Sequence, residues 1–250
     1  MAEHFIILYS DYKDGKRIAY HKSEDSLWEL EAFINQVDEL QKNYKSLSIG
    51  FHHIKTSSDS WESVVEYDKF FSDVICMEDY SKFEAKITED HTVTALDVAN
   101  LITSRMKCTH LQLQKLIYFF YCNYVKKHKT KPFTEQFFAW QYGPVVKEIY
   151  EEFKGYGRNA ISVDLVDDTE EILKDEPFKL SAYSRFLKTP THHQVSEVVD
   201  ETLRQFKDVS AYDLVDLSHI KGGPWDLIYK DGLGRDSLIP HSIIEADCNR

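Results

Sequence analysis

Nowhere in this chain does an apolar run reach the roughly 18–20 residues that a membrane helix needs. Its first residues, MAEHFIILYSDYKDG, lack the basic region and cleavage site of a signal peptide. A cytoplasmic protein with no membrane partner is the expectation. Cysteine is scarce: Cys76, Cys108, Cys122 and Cys248 are scattered without a C-x-x-C step, which excludes a zinc ribbon and a disulfide framework. All four are expected to be reduced, with Cys122 on or beside the buried face of a helix. Positive charge is in deficit, 30 Lys and Arg against 42 Asp and Glu, and the formal charge of −12 repels phosphate backbones. Nucleic acid is therefore not expected as a primary ligand, whereas a basic partner is easily accommodated.

Signatures of chemistry are missing as well. No H-E-x-x-H, H-x-E with C-x-x-C, P-loop G-x-x-x-x-G-K-[ST] or G-x-S-x-G occurs. The stretch GLGRDS lacks the strand before it and the helix after it that a phosphate loop requires. His52-His53 and His192-His193 are poor metal ligands. Adjacent side chains point to opposite faces of a strand, or sit about 100° apart on a helix, and so rarely serve one ion. No cofactor, no metal and no enzymatic activity are expected.

What is present is a chain of 250 residues, 42% hydrophobic and 14% aromatic, able to bury a substantial core. The first ninety residues read as a small α+β unit. FIILY and RIAYH flank Asp14-Gly15, a two-residue hairpin signal. Ser26 with Glu29 predicts a capping box for a helix whose apolar stripe is Leu27, Leu30, Phe33 or Ile34, Val37 and Leu40. Leu47 to Ile54 reads as a strand, with Gly50 marking a bulge or a close approach. WESVVEYDKFF fits a helix or a strand, and FFSDVICMEDY is taken as a strand. The polar TEDHT, Thr88 to Thr92, serves as the boundary between residues 1–90 and 91–250.

Beyond it the pattern turns helical. Thr94 and Asp97 cap a helix with Ala95, Val98, Ala99, Ile102 and Met106 inward. The most informative stretch runs from Leu111 to Tyr150. Leu113, Leu116, Ile117, Phe120, Tyr121 and Tyr124 predict a central helix, whose basic end, Lys126 to Lys129, answers the helix dipole. An aromatic extended segment follows, and then Gly143-Pro144, read as opening a helix with Pro at its first position and Val146, Ile149, Tyr150 and Phe153 on one face. AISVDLV reads as a strand or extended loop. Pro190 is read as starting a helix with Val195, Val198, Val199, Leu203 and Phe206 inward, capped by Thr189 or Thr191. Ser210 starts a shorter one, with Ala211, Leu214, Val215 and Ser218 inward and Asp213 at the capping-box position. Lys221 to Trp225, KGGPW, forces a turn that returns Trp225 to the body, and a last helical turn is expected from His241.

Three blocks of this region, LQKLIYFFY, FFAWQYGPVVKEIYEEF and LVDLSHIKGGPW, resemble in order and spacing the Panacea domain of the SocA-like antitoxin family. The resemblance covers roughly Thr94 to the C-terminus and says nothing about the first ninety residues. It implies a mainly helical domain that binds and neutralises a protein toxin encoded beside it in a bacterial or phage genome. It also carries the alternative of a proteolytic adaptor that delivers its toxin to a Clp protease. The fold class expected for the whole chain is α+β, a helical Panacea/SocA-like domain with a small N-terminal α+β unit.

Residue types then nominate contacts. Trp140, Tyr142 and Trp225 are the side chains expected to meet a partner near the Gly143-Pro144 turn, because Tyr and Trp dominate protein interfaces, although rings of this size also fill cores. Asp167, Asp168, Glu170 and Glu171 belong to an acidic run, Asp164 to Glu176, which reads either as a solvated loop or as a landing site for a basic toxin. His219 admits two readings. It could act as a general base oriented by Asp216 or Asp226 beside Ser218, the basis of a hydrolase alternative, or as a structural cap at a helix end before Gly-Gly-Pro.

Overall fold

The structure, a computed structural model, describes residues 1–24, 27–44, 47–161 and 180–248. The class is α+β. Two compact units are present: Met1–Thr92 with Val166–Pro190, and Val93–Leu165 with Thr191–Arg250. The capping box expected at Ser26 and the run Asp164 to Glu176 lie outside the described residues, as do the side chains of Leu27, Glu29 and Leu30.

In the first unit, β1 (Ala2–Asp11) and β2 (Lys16–Glu24) form the antiparallel hairpin read from FIILY and RIAYH. Its loop is four residues, Tyr12 to Gly15, where the Asp-Gly signal suggested two. The longer loop follows from Asp11, whose carboxylate accepts from the N–H groups of Lys13 (3.1 Å) and Asp14 (3.0 Å), and Gly15 closes it at φ +66°. α1 (Leu27–Asn43) precedes β3 (Ile49–Thr56), which pairs with β1 without a break in register, so Gly50 marks no bulge. The segment Trp61–Tyr67 is helical, α2, because Ser60 caps it through the Ser63 N–H. The strand read over FFSDVICMEDY shrinks to β4 (Val74–Met77), parallel to β2 in a sheet of order β3-β1-β2-β4.

The polar TEDHT is the last turn of α3 (Tyr80–His91), which Asp79 caps, and the first unit's leading segment ends with it at Thr92. Its buried Asp90 accepts from the Tyr9 hydroxyl (2.9 Å) and the Tyr12 N–H (2.7 Å), holding the hairpin loop. Strand alternation sends Phe5, Ile7, Tyr9, Ile18 and Tyr20 to one face with Phe33, Leu40, Phe83 and Ile87, and Ile6 and Ala19 to the other with Val64, Phe71 and Val74. A short helix, Ala182–Lys188, packs on α3.

The second unit is built round one helix. α4 (Ala95–Arg105) starts at a complete Thr94–Asp97 capping box, though Met106, expected inward, is its half-buried C-cap. After β5 (Cys108–Thr109), α5 (His110–His128) starts at a second box, Thr109 with Gln112. α5 is covered on nearly every side, with Leu113 through Tyr118, Phe120, Tyr121, Tyr124 and Val125 all buried. Half-buried Cys122 and Cys248 line one cavity, both as free thiols.

Gly143-Pro144 does not open a helix. β6 (Phe137–Trp140) and β7 (Gly143–Val146) form a hairpin across Gln141-Tyr142, and α6 (Lys147–Phe153) begins only afterwards. β8 (Ala160–Ile161) pairs with β5. α7 (His192–Phe206) starts after Thr191, whereas Thr189 closes the preceding short helix, so Pro190 stands between two helices. α8 (Ala211–Ser218) has Leu214, Val215 and Ser218 buried and Ala211 half-buried; α9 (Pro224–Tyr229) carries Pro at its start. β9 (Leu238–Ile239) adds to β6, and α10 (His241–Cys248) packs on α5. No described helix is long and apolar enough to cross a membrane.

Candidate partner-binding site

The β6–β7 hairpin is fastened to α5 by two polar side chains that the apolar stripe leaves out of account. Gln114 treats Val146 as a neighbouring strand would: its amide nitrogen donates to Val146 O (3.2 Å) and its oxygen accepts from Val146 N–H (3.0 Å). Both bonds are buried, and the second satisfies a strand N–H, while Val146 O, as the N-cap carbonyl of α6, also takes the first helix bond. Next to it Lys115 is fully buried, and its Nζ donates to Pro144 O at 2.7 Å. Burial without a carboxylate partner drives the Lys115 amine well below the ordinary lysine range.

This arrangement explains why glycine stands at 143. Its φ is +102°, a region that L side chains rarely adopt, and an added Cβ would lie 2.5 Å from Ser218 Oγ and 2.6 Å from Lys115 Nζ. Ser218, at the end of α8, donates its hydroxyl to Val215 O (2.8 Å). His219 follows and lies flat on Trp225, with ring centroids 3.5 Å apart and planes within 4°. The Trp225 indole N–H donates to Trp140 O (2.8 Å), and the Trp140 indole N–H donates to the Asp236 carboxylate (2.8 Å). Lys147 pairs with the same carboxylate at 2.9 Å; its hydrogen bond, with that of Trp140, holds Asp236 below the usual range.

The nominated residues fall into three groups. Gly143, Pro144, His219 and Trp225 meet as support: the first two are buried, and Trp225 is buried under His219. Trp140 and Tyr142 lie at the hairpin tip, Trp140 half-buried edge-on to Tyr150 and Tyr142 53% exposed. Asp167, Asp168, Glu170 and Glu171 lie outside the described residues. The imidazole of His219 does not cap the α8 carbonyls; stacking on Trp225 occupies it instead. It bonds neither Asp216 nor Asp226, for Asp226 accepts from Gly222 N–H (2.8 Å). Burial, then the Lys115 charge, lowers the His219 pKa, and its Nε2 is buried without a partner. With the Ser218 hydroxyl turned to a carbonyl, nucleophile and base are not joined. Among the described residues no three of His, Cys, Asp and Glu gather as metal ligands would.

Beside the hairpin tip opens a cleft of about 640 Å³, with Trp140, Tyr142, Tyr150, Tyr212, Arg158 and Arg235 in its lining. Tyr212, Arg158 and Arg235 carry no motif that would single them out in the sequence. Tyr212 is 70% exposed on α8.

A family model described as antitoxin SocA-like, Panacea domain, matches residues 113–226. Antitoxin SocA of Caulobacter vibrioides (strain NA1000 / CB15N) is 32% identical over 149 residues, which cover 57% of this chain and 74% of that protein. This chain belongs to the SocA-like Panacea family. No solved structure matches it. The Panacea match opens at Leu113, one residue before the Gln114–Lys115 fastening, and ends just past Trp225. It therefore contains the hairpin, its support and the His219–Trp225 stack, while the sheet of the first unit lies outside it.

Proposed function

We propose that the protein is an antitoxin that holds a toxin encoded beside it inactive by direct protein–protein contact, using the β6–β7 hairpin tip and the cleft beside it. The observation that carries this reading is the division of labour within the Panacea blocks. Their buried members, Gln114, Lys115, Gly143, Pro144 and Trp225, fix one hairpin on one helix. That hairpin offers Tyr142 to solvent beside Tyr212, large aromatic side chains on a held framework of the kind that anchors interfaces. Kinship to an antitoxin supports the same role. A hydrolase centred on His219 draws no support from a serine bonded to Val215 O and an imidazole stacked on indole.

The test is growth. Expression of the adjacent reading frame alone should arrest a bacterial culture, and co-expression of this chain should restore growth with the toxin level unchanged. A harmless neighbour would overturn the antitoxin reading. Restored growth with a toxin level that falls only in cells with a Clp protease would replace occlusion by proteolytic delivery.

A further inference from the structure

The cleft has a charge opposite to that of the chain. Against a formal −12 overall, its lining carries Arg158 and Arg235 with one carboxylate, Asp236, which Lys147 already neutralises at 2.9 Å. Both arginines are exposed, and neither guanidinium forms a salt bridge with a described residue, although the Arg235 charge adds to that of Lys147 in holding Asp236 ionised. The same lining is rich in aromatic side chains, with Tyr142 and Tyr212 more than half exposed, and includes His110, whose buried Nε2 has no hydrogen-bond partner. Aromatic faces beside unpaired guanidinium groups suit a segment that offers both an apolar side chain and carboxylates, since Arg binds carboxylate through a two-pronged fork. A lysine-rich segment would meet like charge and gain nothing from either arginine.

We propose that this cleft takes an acidic segment of the toxin, one in which Asp or Glu flanks an aromatic or aliphatic anchor that enters between Tyr142 and Tyr212. This rests on the direct-binding function above. It makes the partner's contacting surface acidic here, the reverse of the basic partner that the run containing Asp167 and Asp168 suggested.

The experiment compares the full-length chain, Arg158→Glu/Arg235→Glu, Arg158→Lys/Arg235→Lys and Asp167→Asn/Asp168→Asn/Glu170→Gln/Glu171→Gln, each against the purified product of the adjacent reading frame. Binding and growth rescue are both read, and thermal unfolding verifies that each variant is folded. The expected result is a loss of affinity of about 10- to 100-fold for the charge reversal, a smaller loss for the lysine pair, which keeps the charge but not the fork, and most affinity kept by the acid-neutralised variant. Suppressors of the reversal, selected in the neighbouring frame, should replace Asp or Glu by a neutral or basic residue. If the wild-type chain binds and rescues but the folded reversal does so equally well, or only the acid-neutralised variant fails, the cleft proposal is overturned and direct binding stands. If the wild-type chain does not bind its neighbour, direct binding falls, and this proposal with it.

Discussion

Gly143, Lys115 and His219 show how much of the site rests on single side chains. Gly143→Ala combines a strained φ with a Cβ driven into Lys115 and Ser218, so unfolding by urea should reveal a loss of about 3 kcal/mol. Lys115 gives a pH signature. Its amine titrates far below 10.5 in the folded chain but near the ordinary value when unfolded, so the unfolded chain holds the extra proton between those limits. Stability is expected to rise with pH across that window, and Lys115→Met should lose this rise; urea midpoints at pH 7, 8 and 9 measure it. Neither Lys115 nor Gln114 was legible as a support. Periodicity assigns a helix one buried face, and these two lie off it, yet α5 is covered almost all round and its polar side chains are retained where they reach backbone groups. His219 and Trp225 are near in sequence, but their stacking depends on the turn through Gly222 and Gly223, which sets the two rings face to face.

At the scale of elements, capping and periodicity read well where a helix has both. α4 emerged from the sequence in place and α5 was centred correctly, whereas α7 keeps its expected stripe but starts at His192, two residues after Pro190, and β1 starts at Ala2, three residues before Phe5. The failures came where one residue type serves two structures. Pro after Gly opens a helix or occupies a strand that needs no N–H from it, and here the Gln114 clamp and the β6 partner select the strand. α3 was hidden because its stripe, Phe83 and Ile87, is short and its last turn is polar, the buried Asp90 being spent on the hairpin loop.

Two expectations follow at this level. Gln114→Ala leaves the Val146 N–H buried without its partner, while the Val146 C=O keeps the first hydrogen bond of α6, and should cost about 1–3 kcal/mol in urea unfolding. In the first unit, His4 and His21 stack with Nδ1 and Nε2 2.8 Å apart, and His4 Nε2 reaches Ser58 O at 2.9 Å. A carbonyl only accepts, so His4 carries its proton on Nε2 and receives one from His21. Burial, and then His4, bring His21 down to about 4, below its unfolded value. The unfolded state therefore binds the extra proton between pH 6.5 and 4, and stability is lost as pH falls through that window, on the order of 3 kcal/mol. Melts at pH 7, 5 and 4 should show that part of the loss absent from His21→Gln.

For the molecule as a whole, composition spoke to what the chain does not carry, and the family blocks spoke to its relatives; neither located the cleft. Tyr212, Arg158 and Arg235 come from a helix and two loops far apart in sequence, each an ordinary surface residue where it stands, and only folding brings them to one opening. The charge of −12 likewise describes the surface in sum and not the patch that meets a partner. The central claim is physical association, and calorimetric titration of the purified chain into the product of the adjacent reading frame tests it most directly. A saturable stoichiometric complex with a Kd of about 10⁻⁷ M or tighter at physiological salt is expected. Two folded proteins that mix without heat and elute apart would contradict it.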